Sequence, residues 1–175
     1  MLAHPHRMAE FSNWANTRLH AAAAGLSPEA LSADRGAFFD SIIGTLNHIL
    51  LVDLLYRERL EGQQPSRFGA LNEILYADLS ALDAAQQASD AWYLDYTSRL
   101  DEDALATPVG FSTLLEQPEY WEVSHSIYFS NLFQHQVHHR GQAHNMLSQA
   151  NIDPPPVGFI EFEVECGERI VRRPA

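Results

Sequence analysis

The stretch Phe38-Phe-Asp-Ser-Ile-Ile-Gly-Thr-Leu-Asn-His48-Ile-Leu-Leu-Val-Asp53-Leu-Leu-Tyr-Arg-Glu-Arg-Leu-Glu-Gly62 decides the fold. Wound as a helix, it is apolar over most of its circumference, which marks an element packed on several sides. The helix reads from about Ala37 to Glu61, with Gly62 as a plausible stop. A helix enclosed in this way needs partners, and the sequence supplies three.

Upstream, Met8, Phe11, Ala15, Leu19 and Ala22 recur every three or four residues and share one face of a helix from about Pro5 to Ala24. Ser27-Pro28 then opens a short turn, with Ser as a cap and Pro in first helical position. Downstream, Leu71, Leu75, Leu79, Leu82, Ala85, Ala88, Trp92 and Tyr96 keep the same spacing and predict a third helix over about Arg67 to Leu100. Pro108, Gly110 and Pro118 punctuate residues 104–121, where a loop or short hairpin is expected. A fourth helix is expected from about Val123 to Ala150. Four long helices with short links point to an all-α four-helix bundle, one domain over residues 1–175.

The tail is irregular. Asp153-Pro154-Pro155-Pro156 forbids helix. Ile160, Phe162, Val164 and Cys166 then alternate with Glu161, Glu163 and Glu165, a pattern that predicts an edge strand or a short hairpin with one acidic face.

Composition narrows the function. Eleven Lys and Arg against 23 Asp and Glu give a net charge of −12. Such a surface repels phosphate backbones and anionic membranes, so neither a nucleic acid nor a membrane is expected as a partner. Cys166 is the only cysteine, which excludes an internal disulfide and fits a reducing compartment. The opening Met-Leu-Ala-His-Pro-His lacks the basic-then-apolar order of a signal peptide, and no apolar run approaches the ~18–20 residues of a membrane helix. A soluble, cytoplasmic protein is the expectation.

Nine histidines stand in the chain, five of them between His125 and His144. On a helix turning about 100° per residue, His135 and His139 lie about 40° apart and project from one face on successive turns. Two imidazoles so placed can chelate one metal ion, as the first and last residues of HExxH do. The pair alone is a weak signal and reads more readily as two solvated histidines. His48 alters the balance, because it sits within Leu46-Asn-His-Ile-Leu-Leu-Val52. A buried imidazole without a partner costs roughly 1–3 kcal/mol, and a cation shared with the later pair supplies one. Three neutral imidazoles leave coordination positions open, as catalytic metal sites do. His138, three residues after His135, falls on the same arc, so spacing leaves it as a ligand or a pocket residue. Glu122 and His125 match the Glu-x-x-His of di-iron bundles, but such a site wants two copies and only one is present. His144 points away from His135, and His4, His6 and His20 carry no site pattern. There is no G-x-S-x-G elbow and no glycine-rich phosphate loop. Cys166, in an acidic tail, is poorly placed for a stabilised thiolate.

Three segments together resemble the DinB (damage-inducible, YfiT-like) metalloprotein family: Asn13-Trp-Ala-Asn-Thr-Arg-Leu19, Ser41 through Asp53, and Leu132-Phe-Gln-His135-Gln-Val-His138-His139-Arg140-Gly141-Gln142. The resemblance spans the first helix to the end of the fourth. It implies a four-helix bundle, commonly dimeric, with one divalent metal per chain, nickel or zinc. It places the ligands on His48, His135 and His139, and favours His139 over His138. Gln142, one turn further along the arc, would steady a ligand or a bound water. Arg140 and Gly141 are assigned to packing at the loop side. Characterised relatives include transferases and isomerases that use low-molecular-weight thiols such as bacillithiol, mycothiol or glutathione. A metal-dependent, thiol S-transferase-like enzyme acting on a small molecule is therefore the leading expectation. A non-catalytic metal-binding stress-response module is the alternative.

Overall fold

The structure, a computed structural model, describes residues 4–63, 68–114 and 116–167. The expected start of the third helix at Arg67, the first three residues and the end of the tail lie outside them. Among the described residues the chain forms seven helices and one two-stranded sheet.

Helix α1 (Pro5–Ala23) has Pro5 in its first turn, and the His4 side chain accepts from the His6 N–H. Helix α2 (Pro28–Ser32) is the short turn opened by Ser27, whose hydroxyl accepts from Ala30 N–H. Helix α3 (Ile42–Leu60) begins five residues later than its apolar pattern suggests. Asp40 adopts φ 59°, which breaks the helix, and Ser41 caps it by accepting from Gly44 N–H. Phe38 and Phe39 therefore precede the helix instead of starting it.

The expected third helix is shorter: α4 runs Leu79–Ser98, capped by Asp78. Residues 69–78 form turns although Leu71 and Leu75 continue the helical spacing. Side chains hold those turns. Glu73 accepts from Gly69 and Ala70 N–H, and Asn47 pairs with both N–H and C=O of Tyr76. Helix α5 (Glu102–Ala106) follows, with Asp101 as its cap. Strands β1 (Pro108–Ser112) and β2 (Tyr120–Ser124) then form an antiparallel hairpin, Gly110 opposite Glu122. Helix α6 (His125–Gln149) follows directly, capped by Ser124.

The tail departs from expectation. Residues Phe159–Cys166 are a helix, α7, and not an edge strand or hairpin. The alternation Ile160, Phe162, Val164 competes with a helical pair, Phe159 and Phe162, three residues apart. Burial decides between them. Phe162 packs on Phe11 and Trp14 of α1, while Ile160 is left exposed. Arg7 and Arg18 hold Glu163 and Glu165 from the same side.

The four long helices enclose the core: α1 packs on α4 and α6, and α3 on α6 and α4. Two apolar clusters fill it. One gathers Leu51, Leu55, Tyr93, Phe129 and Leu132, the other Leu19, Leu46, Leu50, Leu82 and Met146. Between them along all four helices lies a buried polar layer. Arg140 donates to Ser12, Asn16 and Gln136. Asn16 donates to Asp90, Gln136 to Asp53, and Gln86 to both carboxylates. Arg140 is thus a core residue and not loop-side packing. Each of Asn16 and Gln136 turns its oxygen to the Arg140 cation and its nitrogen to an aspartate carboxyl oxygen, which fixes its orientation.

No helix among the described residues is long and apolar enough to cross a membrane.

Candidate metal centre

His48 sits near the first third of α3, on the side that packs against α6, and His135 and His139 rise from α6 on successive turns. Their ring centroids form a near-equilateral triangle with sides of 4.9, 4.5 and 4.4 Å. One ring nitrogen from each lies within 4.8 Å of the other two, a group that could hold a metal ion. The Nε2 atoms of His48 and His135 are 2.9 Å apart.

The partners of these rings determine which nitrogens are free. His48 Nδ1 is 2.7 Å from the Leu71 carbonyl. A carbonyl only accepts, so Nδ1 carries the proton and the Nε2 lone pair faces the other histidines. His139 Nδ1 donates likewise to Gln142 Oε1 at 2.8 Å. Gln142 Nε2 in turn donates to His138 Nε2 at 3.3 Å. His138 itself is exposed, packed edge-on against His139 at 4.7 Å. It is an outer member of the cluster.

Burial keeps the trio neutral. It pushes His48 down to about 4, partly offset by the Leu71 bond, with further lowering from His139. It pushes His135 to about 3, helped by repulsion from His139 and His48. His139 is lowered by burial too, against the Gln142 bond. Neutral imidazoles with converging lone pairs are the form in which histidine binds metal. His135 Nδ1 is buried without a hydrogen-bond partner, while its Nε2 faces His48. The donor set fits a borderline divalent ion such as nickel or zinc. A Zn–N bond of about 2.0–2.1 Å puts two tetrahedral ligand nitrogens about 3.4 Å apart, which lies within the 4.8 Å that bounds the three nitrogens.

Two residues beside the trio carried no signal of their own in the sequence. Phe39 stacks on His48, centroids 3.8 Å apart and planes at 20°, and meets His139 edge-on at 5.4 Å. Its place depends on Gly44, where a Cβ would strike the Phe39 carbonyl oxygen. Leu71 contributes only its carbonyl, which no side-chain pattern reveals. His125 is bonded to Tyr96 and Thr107, far from Glu122 in purpose, since Glu122 lies on β2. His20 is buried 3.2 Å from Asp83, and His6 bonds Thr97.

A cavity of about 510 Å³ opens on His48 and His135, within the range of small-molecule sites. Val52, Leu55, Phe111, Trp121 and Tyr128 give it apolar walls. No acidic side chain among the described residues lines it.

The sequence model of the DinB family matches residues 1–168. The chain belongs to the DinB family. Its fold is similar to the 2.01 Å crystal structure of a DinB-like protein from Bacillus cereus ATCC 10987, with a TM-score of 0.60 and 16% identity over 83% of this chain and 91% of that one. No curated protein matches this DinB chain in sequence.

Proposed function

We propose that this DinB protein is a metal-dependent enzyme in which His48, His135 and His139 hold one divalent ion, nickel or zinc, and that its reaction is transfer of a low-molecular-weight thiol to a small electrophile. The observation that carries the proposal is the convergence of three ring nitrogens within 4.8 Å at the end of an apolar cavity. The same reading takes residues 1–175 as one four-helix-bundle domain, working as a homodimer in the cytoplasm.

The chain's own groups supply orientation and dryness. Leu71 and Gln142 hold His48 and His139 with Nε2 presented inward. Phe39 limits the rotation of both rings. Val52 and Leu55 keep water from that end of the cavity. A bound divalent metal supplies a positive centre that keeps a thiol as thiolate, the nucleophilic form. In the transfer the sulfur bonds to an electrophilic carbon, the bond to the leaving group breaks, and the thiol proton passes to water.

The test is metal analysis of the purified protein, then a thiol-consumption screen across a panel of electrophiles. About one nickel or zinc per chain and metal-dependent thiol loss support the proposal. Metal-loaded protein that consumes no thiol with any electrophile contradicts the transferase reading. A sharp fall in melting temperature on metal removal would then favour the non-catalytic module.

A further inference from the structure

Among the described residues that line the cavity, Arg59 is the one arginine. It lies on the face of α3 that carries His48, Val52 and Leu55, spaced four, seven and eleven residues from His48, so all four point to one side. Eleven residues of helix place it about 16 Å along the axis from His48. Its guanidinium stacks over the Phe111 ring at 4.2 Å and stands 5.5 Å from the Tyr56 ring centre. One N–H reaches the Ser112 carbonyl at 3.3 Å. A further side-chain hydrogen bond joins it to Tyr128; together these contacts hold the group at the cavity and leave part of its donors free.

What Arg59 lacks is an anion. Arg7, Arg18, Arg57 and Arg99 each pair with a carboxylate, in a chain with more than twice as many acids as bases. Among the described residues no carboxylate pairs with Arg59, and none lines the cavity it faces. A planar guanidinium held rigid with free N–H donors is the complement of a carboxylate, which it binds through two parallel hydrogen bonds. Between Arg59 and the histidines the walls are mainly aromatic and aliphatic, with the polar groups of Tyr56, Thr113, Tyr128 and Asn131 among them. A sugar or peptide body would leave most of its polar groups unsatisfied there.

We infer that the cavity takes a slender apolar molecule ending in a carboxylate, with the carboxylate on Arg59 and the other end at His48 and His135. Treating the histidine end as the reacting end rests on the function proposed above. Carboxylate selectivity at Arg59 does not.

The experiment uses metal-free full-length protein and measures binding of butanoate, hexanoate, octanoate and octanamide by calorimetry. The expected results are a gain of roughly fourfold per added methylene and a preference of at least tenfold for octanoate over octanamide. In Arg59→Gln that preference falls to near one. In Arg57→Gln, which removes an arginine paired outside the cavity, it persists. Ile127→Trp, at an exposed position on the cavity rim, weakens octanoate at least tenfold. Equal binding of octanoate and octanamide to the wild type overturns the inference, whether or not the variants fold. So does an unchanged preference in folded Arg59→Gln, or unchanged octanoate binding in Ile127→Trp. Because no metal or thiol is present, failure here leaves the metal and transfer readings standing, and their failure leaves this one standing.

Discussion

Nε2 of His48 stands 2.9 Å from Nε2 of His135, although 87 residues separate them in the chain. Two imidazole nitrogens meet this way inside a protein when something between them rewards the meeting, a proton or a metal ion. Since His48 keeps its proton on Nδ1 through Leu71, its Nε2 is left to accept. His139 then closes the triangle.

Removing any corner should remove the ion. His48→Ala, His135→Ala and His139→Ala are each expected to purify with less than about a tenth of the wild-type metal while keeping wild-type helicity by circular dichroism. Full metal content in any folded member of the set would remove that residue from the site.

Gln142 and His138 should separate cleanly. Gln142→Leu frees His139 Nδ1 and is expected to lower metal affinity by roughly 10- to 100-fold. His138→Ala, at an exposed ring beyond Gln142, is expected to change affinity less than about threefold. Competition titration with a chelator measures both. A larger loss in His138→Ala than in Gln142→Leu would reverse the roles assigned.

Gly44 acts on the site through Phe39. Gly44→Ala puts a methyl against the Phe39 carbonyl, so the turn must move at a cost of about 1–3 kcal/mol. Phe39 carries the stacking partner of His48, so metal affinity should fall together with the melting temperature. A variant as stable as wild type would show that the turn accommodates the methyl freely.

The buried layer predicts a pH dependence. Burial, reinforced by Asp90, raises Asp53 to about 8, and burial raises Asp90 to about 6. The folded state then holds a proton on Asp53 that the unfolded chain releases near pH 4. Stability from this group is complete below about pH 4 and falls as pH rises toward about 8, by on the order of a few kcal/mol. Asp53→Asn removes the titration. The melting temperature of wild type minus that of Asp53→Asn should therefore decline between pH 5 and 8. A difference that is flat or rises over that range contradicts the raised pKa.

How much of this was legible follows from which residues announce themselves. The trio did, because a histidine in an apolar run needs a partner and the pair four apart, a weak signal alone, can supply one through a shared ion. The long helices did too, since Met8, Phe11, Ala15 and Leu19 repeat at helical spacing in one, and Leu79, Leu82, Ala85 and Trp92 in another. The C-terminal helix did not, because strict alternation hid the Phe159 and Phe162 pair that Phe11 receives. The turns at 69–78 did not, because Leu71 and Leu75 extend the spacing while Asn47 and Glu73 hold the backbone from elsewhere. The Asp53, Asp90 and Arg140 layer was illegible for a different reason. Each of these residues reads alone as an ordinary polar face, and only the packing of four helices turns it inward.

X-ray absorption at the metal edge of the nickel- or zinc-loaded protein tests the central claim most directly. The account predicts scattering from three imidazole rings around one ion per chain, at about 2.0–2.1 Å if the ion is zinc, and loss of that signature in His48→Ala. Two or fewer imidazoles, a sulfur ligand, or a spectrum that His48→Ala leaves unchanged would contradict it.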